Sequence, residues 1–206
     1  MIYTPKHFAE DDRHVLLQLM RNNSFATVIC GGADDPVVTH VPVLVDDAGQ
    51  LLQCHVARAN PLWRELSADR EVLFIFHGPH HYVSPGWYED AMPSVPTWNY
   101  AAVHVHAVPA IIEDRGRVES MLRALVTGHE SELETPWMMD LPADYLRKMI
   151  DGIVAFDARI TRMVGKFKLS QNRPLADRHK VISKLHESGG DSATELAALM
   201  QRAIDR

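Results

Sequence analysis

The chain has 206 residues, 46% of them hydrophobic and 23% charged, with a formal net charge of -6 at pH 7. That composition suits a globular protein of one large domain, or one domain with a small appendage. No stretch approaches the roughly 20 apolar residues that cross a bilayer, and an acidic chain argues against a broad phosphate-binding face for nucleic acid.

The opening, MIYTPKHFAEDDRHVLL, has no cationic region followed by an apolar run, so no secretory signal is expected. Residues 11–22, DDRHVLLQLMRN, predict a helix with acids in its first turn. FATVIC at 25–30 reads as a buried strand, and GGADDP as a turn. VVTHVPVLVD and QLLQCHVA read as further strands, with Pro42 marking an edge or a bulge. Cys30 and Cys54 fall inside these runs and are expected to be reduced core thiols of a cytoplasmic protein. NPLWREL predicts a short helix capped by Asn60 and begun by Pro61. EVLFIF at 71–76 predicts a strand covered on both faces, and an aromatic, proline-stiffened loop then runs through 84–100. AAVHVHAVPAII reads as another strand.

The period then changes. Val118, Met121, Leu122, Leu125 and Val126 stand at helical spacing, as do Tyr145, Leu146, Met149, Ile150 and Ile153. IVAFDARITRMVGKFKLSQN predicts a long closing strand or strand pair. Two helices end the chain, near 177–187 and 192–205, with Ser192 and Glu195 at capping-box spacing. Clustered strands, a helical insert at about 117–153 and a helical tail at 175–206 give an α+β fold on an antiparallel barrel or sheet, with the barrel domain spanning 1–174.

Few motifs carry chemistry. In HVARANP, Arg58 precedes a helix start, where a cationic fork and unpaired N–H groups suit a phosphate. A plain capped turn with a solvated arginine fits the same residues. In GKFKLSQNRP, Lys166 and Lys168 share one strand face, opposite Phe167 and Leu169. Gln171, Asn172 and Arg173 follow, forming either a donor cluster for an anion or a charged edge. The 12 histidines include HGPHH at 77–81 and the pair His104 and His106, but no carboxylate or cysteine stands at a metal spacing. No nucleophile or nucleotide-loop motif is present, so no catalytic residue is assigned. The aromatic loop suits a planar heterocycle or a partner subunit.

IYTPKHF, HVARANP, FHGPHHYVSPGWY, VPTWNYAAVHVHA and GKFKLSQNRP occur in this order, and together they resemble the PaiB family of FMN-binding negative transcriptional regulators. The resemblance runs from Tyr3 to about Met200, with Gly86 standing where a larger polar residue is usual. It implies an FMN-binding split barrel, paired as a homodimer with flavin sites at the shared interface. It also implies cofactor-binding roles for His55, Arg58 and Asn60, with Arg58 and Asn60 at the phosphate. Thr97, Trp98, Asn99 and Tyr100 would lie beside the ring, and Lys166, Lys168 and Gln171 would reach across the dimer. No metal is implied. DNA as a partner has little support in an acidic chain without a clear helix-turn-helix, although Lys166 to Lys180 is locally basic. FMN-dependent oxidoreduction is the alternative, and haem processing a more distant one.

Overall fold

The computed structural model describes residues 2–31, 35–90 and 93–206; half of the turn expected at GGADDP, residues 32–34, therefore lies outside the described residues. In chain order the elements are β1 (Ala9–Glu10), α1 (Arg13–Asn22), β2 (Phe25–Cys30), β3 (Val37–Pro42), β4 (Leu44–Val45) and β5 (Leu51–Ala57). There follow β6 (Val72–Val83), β7 (Thr97–Ile111), α2 (Arg115–Glu130), α3 (Ala143–Asp151), β8 (Ile153–Lys168), α4 (Leu175–Ser188) and α5 (Asp191–Asp205). The sheet order is β3-β2-β6-β7-β8-β5-β4, with β1 added on β8. Registers are antiparallel: Phe25 faces Pro42, Thr27 faces Ile75, Cys54 faces Phe156 and Ala9 faces Lys166.

Two compact units divide the chain. One comprises Met1–Leu19, His77–Val103 and Val164–Arg206, the other Met20–Phe76 and His104–Met163. Strands β6, β7 and β8 each contribute residues to both.

Within the first unit, α4 and α5 bury Val181 and Leu185 on one helix and Leu196, Ala197 and Met200 on the other. Ser192 does not cap α5 as its spacing suggested. The N-cap is Gly190, and the Ser192 hydroxyl instead accepts from His80 N at 3.0 Å and donates to His80 O at 2.9 Å.

Within the second unit, β2 alternates rather than being buried throughout; Ala26, Val28 and Cys30 point inward while Phe25 is exposed. Pro42 lies at the end of β3, an outer strand of the sheet, where a missing N–H is tolerated. The insert forms its own apolar cluster from Ile112, Val118, Met121, Leu125, Met139, Leu146, Ile150 and Ala155. Tyr145 and Met149, read as part of the buried face of α3, are exposed instead.

Three further boundaries differ. Helix α1 starts at Arg13, so Asp12 precedes its first turn and accepts from His14 N at 2.9 Å. Strand β6 continues through HGPHHYV, and Thr97–Tyr100 open β7 rather than ending a loop.

Candidate functional site

The start of β7 and the end of β8 bring one group of expected site residues together in the first unit. Strand alternation sends Asn99 inward, wholly buried, and Trp98 and Tyr100 to the opposite face. There, with His77, Gly78, His80 and Ala101, they line a cavity of about 330 Å³. The Trp98 ring lies 5.9 Å from that of His80 and 6.3 Å, edge-on, from that of Tyr82. At this wall Gly78 packs closely on its neighbours, since a Cβ there would stand 2.9 Å from Leu19 Cδ1 and 3.2 Å from Ala101 O.

Two ammonium groups adjoin these residues. Lys166 Nζ donates to Tyr3 O at 2.7 Å and lies 5.4 and 5.5 Å from the ring centroids of Tyr3 and Tyr100. Lys168 Nζ donates to Trp98 O at 2.9 Å and to Thr97 Oγ1. Burial holds the Lys168 ammonium below the ordinary lysine range, and the charge of Lys166 adds to the effect. Neither lysine forms an ion pair with a carboxylate of the described residues.

The chain leaves β8 through a tight turn. Ser170 adopts φ +63°, and Gln171 closes the turn, accepting from Leu169 N at 2.7 Å and donating to Phe167 O at 2.6 Å. Asn99 Nδ2 donates to Ser170 Oγ at 2.8 Å and to Met200 Sδ at 3.5 Å, while its buried Oδ1 has no partner among the described residues. Asn99 and Gln171 thus act here as braces of the turn behind the lysines. Arg173 stacks over Tyr88 at 4.3 Å and donates to Ser94 Oγ at 3.2 Å, and buried Asp177 accepts from Glu89 N at 2.9 Å. These contacts tie the aromatic loop to α4.

His55, Arg58 and Asn60 lie in the second unit. Arg58 grips three consecutive carbonyls: its amide donates to Gly152 O at 2.8 Å, Nε to Asp151 O at 2.7 Å and Nη2 to Ile153 O at 2.8 Å. It therefore caps the C-terminus of α3, whose last carbonyls have no partner within the helix. Asn60 caps the 3-10 helix Pro61–Arg64, accepting from Leu62 N at 2.9 Å, and its Nδ2 donates to Thr39 Oγ1 at 3.0 Å. His55 is half-buried with Nδ1 unpartnered, and burial lowers its basicity. A second cavity of about 330 Å³ lies against Arg58, Trp63, Ile112, Arg115, Val118 and Asp151. Cys30 and Cys54 are free and buried, and burial pushes both thiols up. Among the described residues, no group of three His, Cys, Asp or Glu side chains could hold a metal ion.

Sequence reasoning missed Tyr3, His77, His80 and Ser170. The histidines stood out only as a cluster, and their place on the cavity wall follows from β6 continuing past Phe76. The positive φ of Ser170 has no signal in a non-glycine residue.

An antiparallel sheet of this order with an added helical insert and tail is the split barrel of flavin-binding proteins. The flavocytochrome Anf3 of Azotobacter vinelandii superposes with a TM-score of 0.61 at 16% identity, over 80% of this chain and 72% of that one. The FAD and heme binding protein of Mycobacterium smegmatis gives 0.58 at 15% identity, over 89% and 81%. In sequence, the family described as "Putative FMN-binding domain" matches residues 2–162. The Bacillus subtilis protein named "Protease synthase and sporulation protein PAI 2" is 32% identical over 100% of this chain and 99% of its own length. An uncharacterized protein of Emericella nidulans is 30% identical over 94% of each chain. The chain belongs to this family of FMN-binding-domain proteins, the PaiB family, and its cofactor is FMN. Among the described residues, no helix is long and apolar enough to cross a membrane.

Proposed function

We propose that this protein is a homodimeric flavoprotein of the PaiB type that holds the FMN ring on the aromatic cavity of its first unit, and that it lowers transcription through the state of that flavin rather than by reading DNA itself. The observation that carries the reading is the pairing of a flat aromatic wall, Trp98 and Tyr100, with a hydrogen-bonding group at its edge, the Thr97 hydroxyl. A planar heterocycle with carbonyl and ring-nitrogen edges fits such a site. When bound, FMN supplies the redox chemistry; the chain positions the ring and excludes water from one face.

The regulatory reading follows the resemblance of the sequence motifs to the PaiB family, to which the likeness to PAI 2 also belongs. Indirect action is supported by the tail, where Lys180 pairs with Glu89 and Lys184 with Glu187, leaving little unpaired basic surface on α4 for phosphates. Arg58 and Asn60 are our candidates for binding the FMN phosphate and His55 a further cofactor-binding candidate; the Arg58 and Asn60 side chains also serve the caps described above. The free, buried cysteines support a reducing, cytoplasmic setting.

A second reading, FMN-dependent oxidoreduction, is favoured by the exposure of Trp98, His77 and His80 at the cavity, which leaves room for a reactant. The test is a visible absorption spectrum of purified protein after FMN addition and removal of excess. It is followed by promoter-fragment binding at physiological salt and by NAD(P)H turnover. Retained flavin without saturable DNA binding supports indirect regulation; NAD(P)H turnover adds the enzyme; absence of flavin from folded protein overturns both.

A further inference from the structure

We infer that Lys166 and Lys168 form a recognition site for the anionic group of a second, planar ligand, a substrate or effector carrying a carboxylate or phosphate, which binds next to the flavin ring that the Trp98–Tyr100 wall holds. The inference rests on the ring-site reading above and names the ligand class that the site admits.

An ammonium group has three donors. Lys168 uses two, on Trp98 O and Thr97 Oγ1, and Lys166 uses one, on Tyr3 O. Three N–H donors on two neighbouring cations are therefore without a hydrogen-bond acceptor among the described residues. Lys166 is only 9% exposed, and no described carboxylate pairs with either group. Buried charge is retained at a cost unless something of opposite sign completes it. Burial, and after it the charge of Lys166, lowers the Lys168 ammonium, in keeping with the same deficit. Asn99, Ser170 and Gln171 hold the turn that follows these lysines, and the two ammonium groups are themselves anchored on Tyr3 O, Trp98 O and Thr97 Oγ1.

Two further observations narrow the ligand. Both lysines touch residues of the cavity wall directly, Lys168 through Trp98 O and Lys166 through the Tyr100 ring at 5.5 Å. The charge they seek must therefore sit close to a ring. The phosphate of FMN hangs at the end of the five-carbon ribityl arm, away from its own ring system, so a compact aromatic anion matches the spacing better. In addition, Tyr3 is 81% exposed, and its carbonyl is what Lys166 holds. That backbone oxygen is the acceptor an incoming carboxylate or phosphate oxygen replaces, with the tyrosine ring left as a cap.

The probe is benzoate, titrated into FMN-loaded protein and followed by the flavin absorption difference and by calorimetry. We expect saturable binding, weakened at least about tenfold in Lys168→Met, as for loss of a charge-assisted contact. Lys166→Met should act in the same direction, and Lys168→Arg should restore most of the affinity. Should Lys166→Met fail to fold, the Lys168 pair of variants decides the matter. Benzoate that binds with equal affinity to the wild type and to Lys168→Met overturns the inference. So does benzoate that only displaces FMN, because the lysines then belong to the cofactor. If the protein retains no FMN at all, the ring-site reading fails by itself. Calorimetry of benzoate on flavin-free wild type and Lys168→Met then supports or overturns the lysine site independently.

Discussion

Replacing Arg58 by alanine should destabilise the protein through the end of α3. The side chain makes two hydrogen bonds, at 2.7 and 2.8 Å, to the carbonyls of Asp151 and Ile153, and both are charge-assisted. Such bonds contribute about 1.5–3 kcal/mol each when shielded, but Arg58 is exposed, and water replaces part of what is lost. About 1 kcal/mol per bond, or about 2 kcal/mol in all, is the reasonable loss; the amide bond to Gly152 O survives the substitution. For a chain of this size that lowers Tm by about 4–8 °C. Arg58→Lys, which offers a point charge to the same helix end, should recover about half. Thermal unfolding of the flavin-free protein is the assay, with FMN affinity measured in parallel. An Arg58→Ala protein with unchanged Tm and FMN binding weakened tenfold or more would refute the reasoning. Arg58 would then act on the ligand and not on the helix.

Three other outcomes are expected. Gly165→Ala drives a Cβ into Leu16 Cδ2 and to 2.7 Å from the backbone oxygen of Glu10, so β1 must leave β8. A loss of about 3 kcal/mol in urea unfolding is expected, and a loss below about 0.5 kcal/mol would contradict the close approach. Asn99→Ala removes the bonds to Ser170 and Met200 and leaves a small void, costing about 2 kcal/mol; the same unfolding series measures it. Burial lowers His55 below its ordinary value of 6.5, and burial with the Arg162 charge lowers His106, so the unfolded chain binds protons there more readily than the native one. Stability is therefore full above about pH 7, falls as pH drops through 6.5, and levels off once the native histidines also titrate. His55→Phe should flatten that slope, and an unchanged slope would remove His55 from the account.

How far the sequence revealed these features depended on whether the information was local. Asn60 and Pro61 announce a helix start by themselves, and the cap is there with the expected acceptor. The buried stripe of α2 follows from spacing alone, because Val118, Met121 and Leu125 recur at its period. The stripe of α3 does not. Tyr145 satisfies the same spacing, yet only Leu146 and Ile150 are buried. The family motifs marked Thr97–Tyr100 and Lys166–Gln171 as belonging to a site, but not which side chains serve as braces. Asn99 turns inward because Thr97–Tyr100 are strand, and Gln171 closes a turn whose geometry is set by Ser170. The second role of Ser192 was invisible for the same reason, since His80 is 112 positions away in the chain.

The arginine that closes α3 comes from 93 and 95 positions before the carbonyls it holds. The insert is thus begun by its own residues, with Asp114 capping α2, but finished by a strand laid down far earlier. Locally its last turn is closed by the Gly152 N–H on the carbonyls of Lys148 and Met149, while the carbonyls of Asp151 and Gly152 wait for Arg58; that end should therefore firm up only after β5 has met β8, late in folding, when the cost of closing that long loop is already met. Cut out as a peptide, the insert would keep its first helix better than its second. In the intact chain, the order of assembly is recorded in a single side chain.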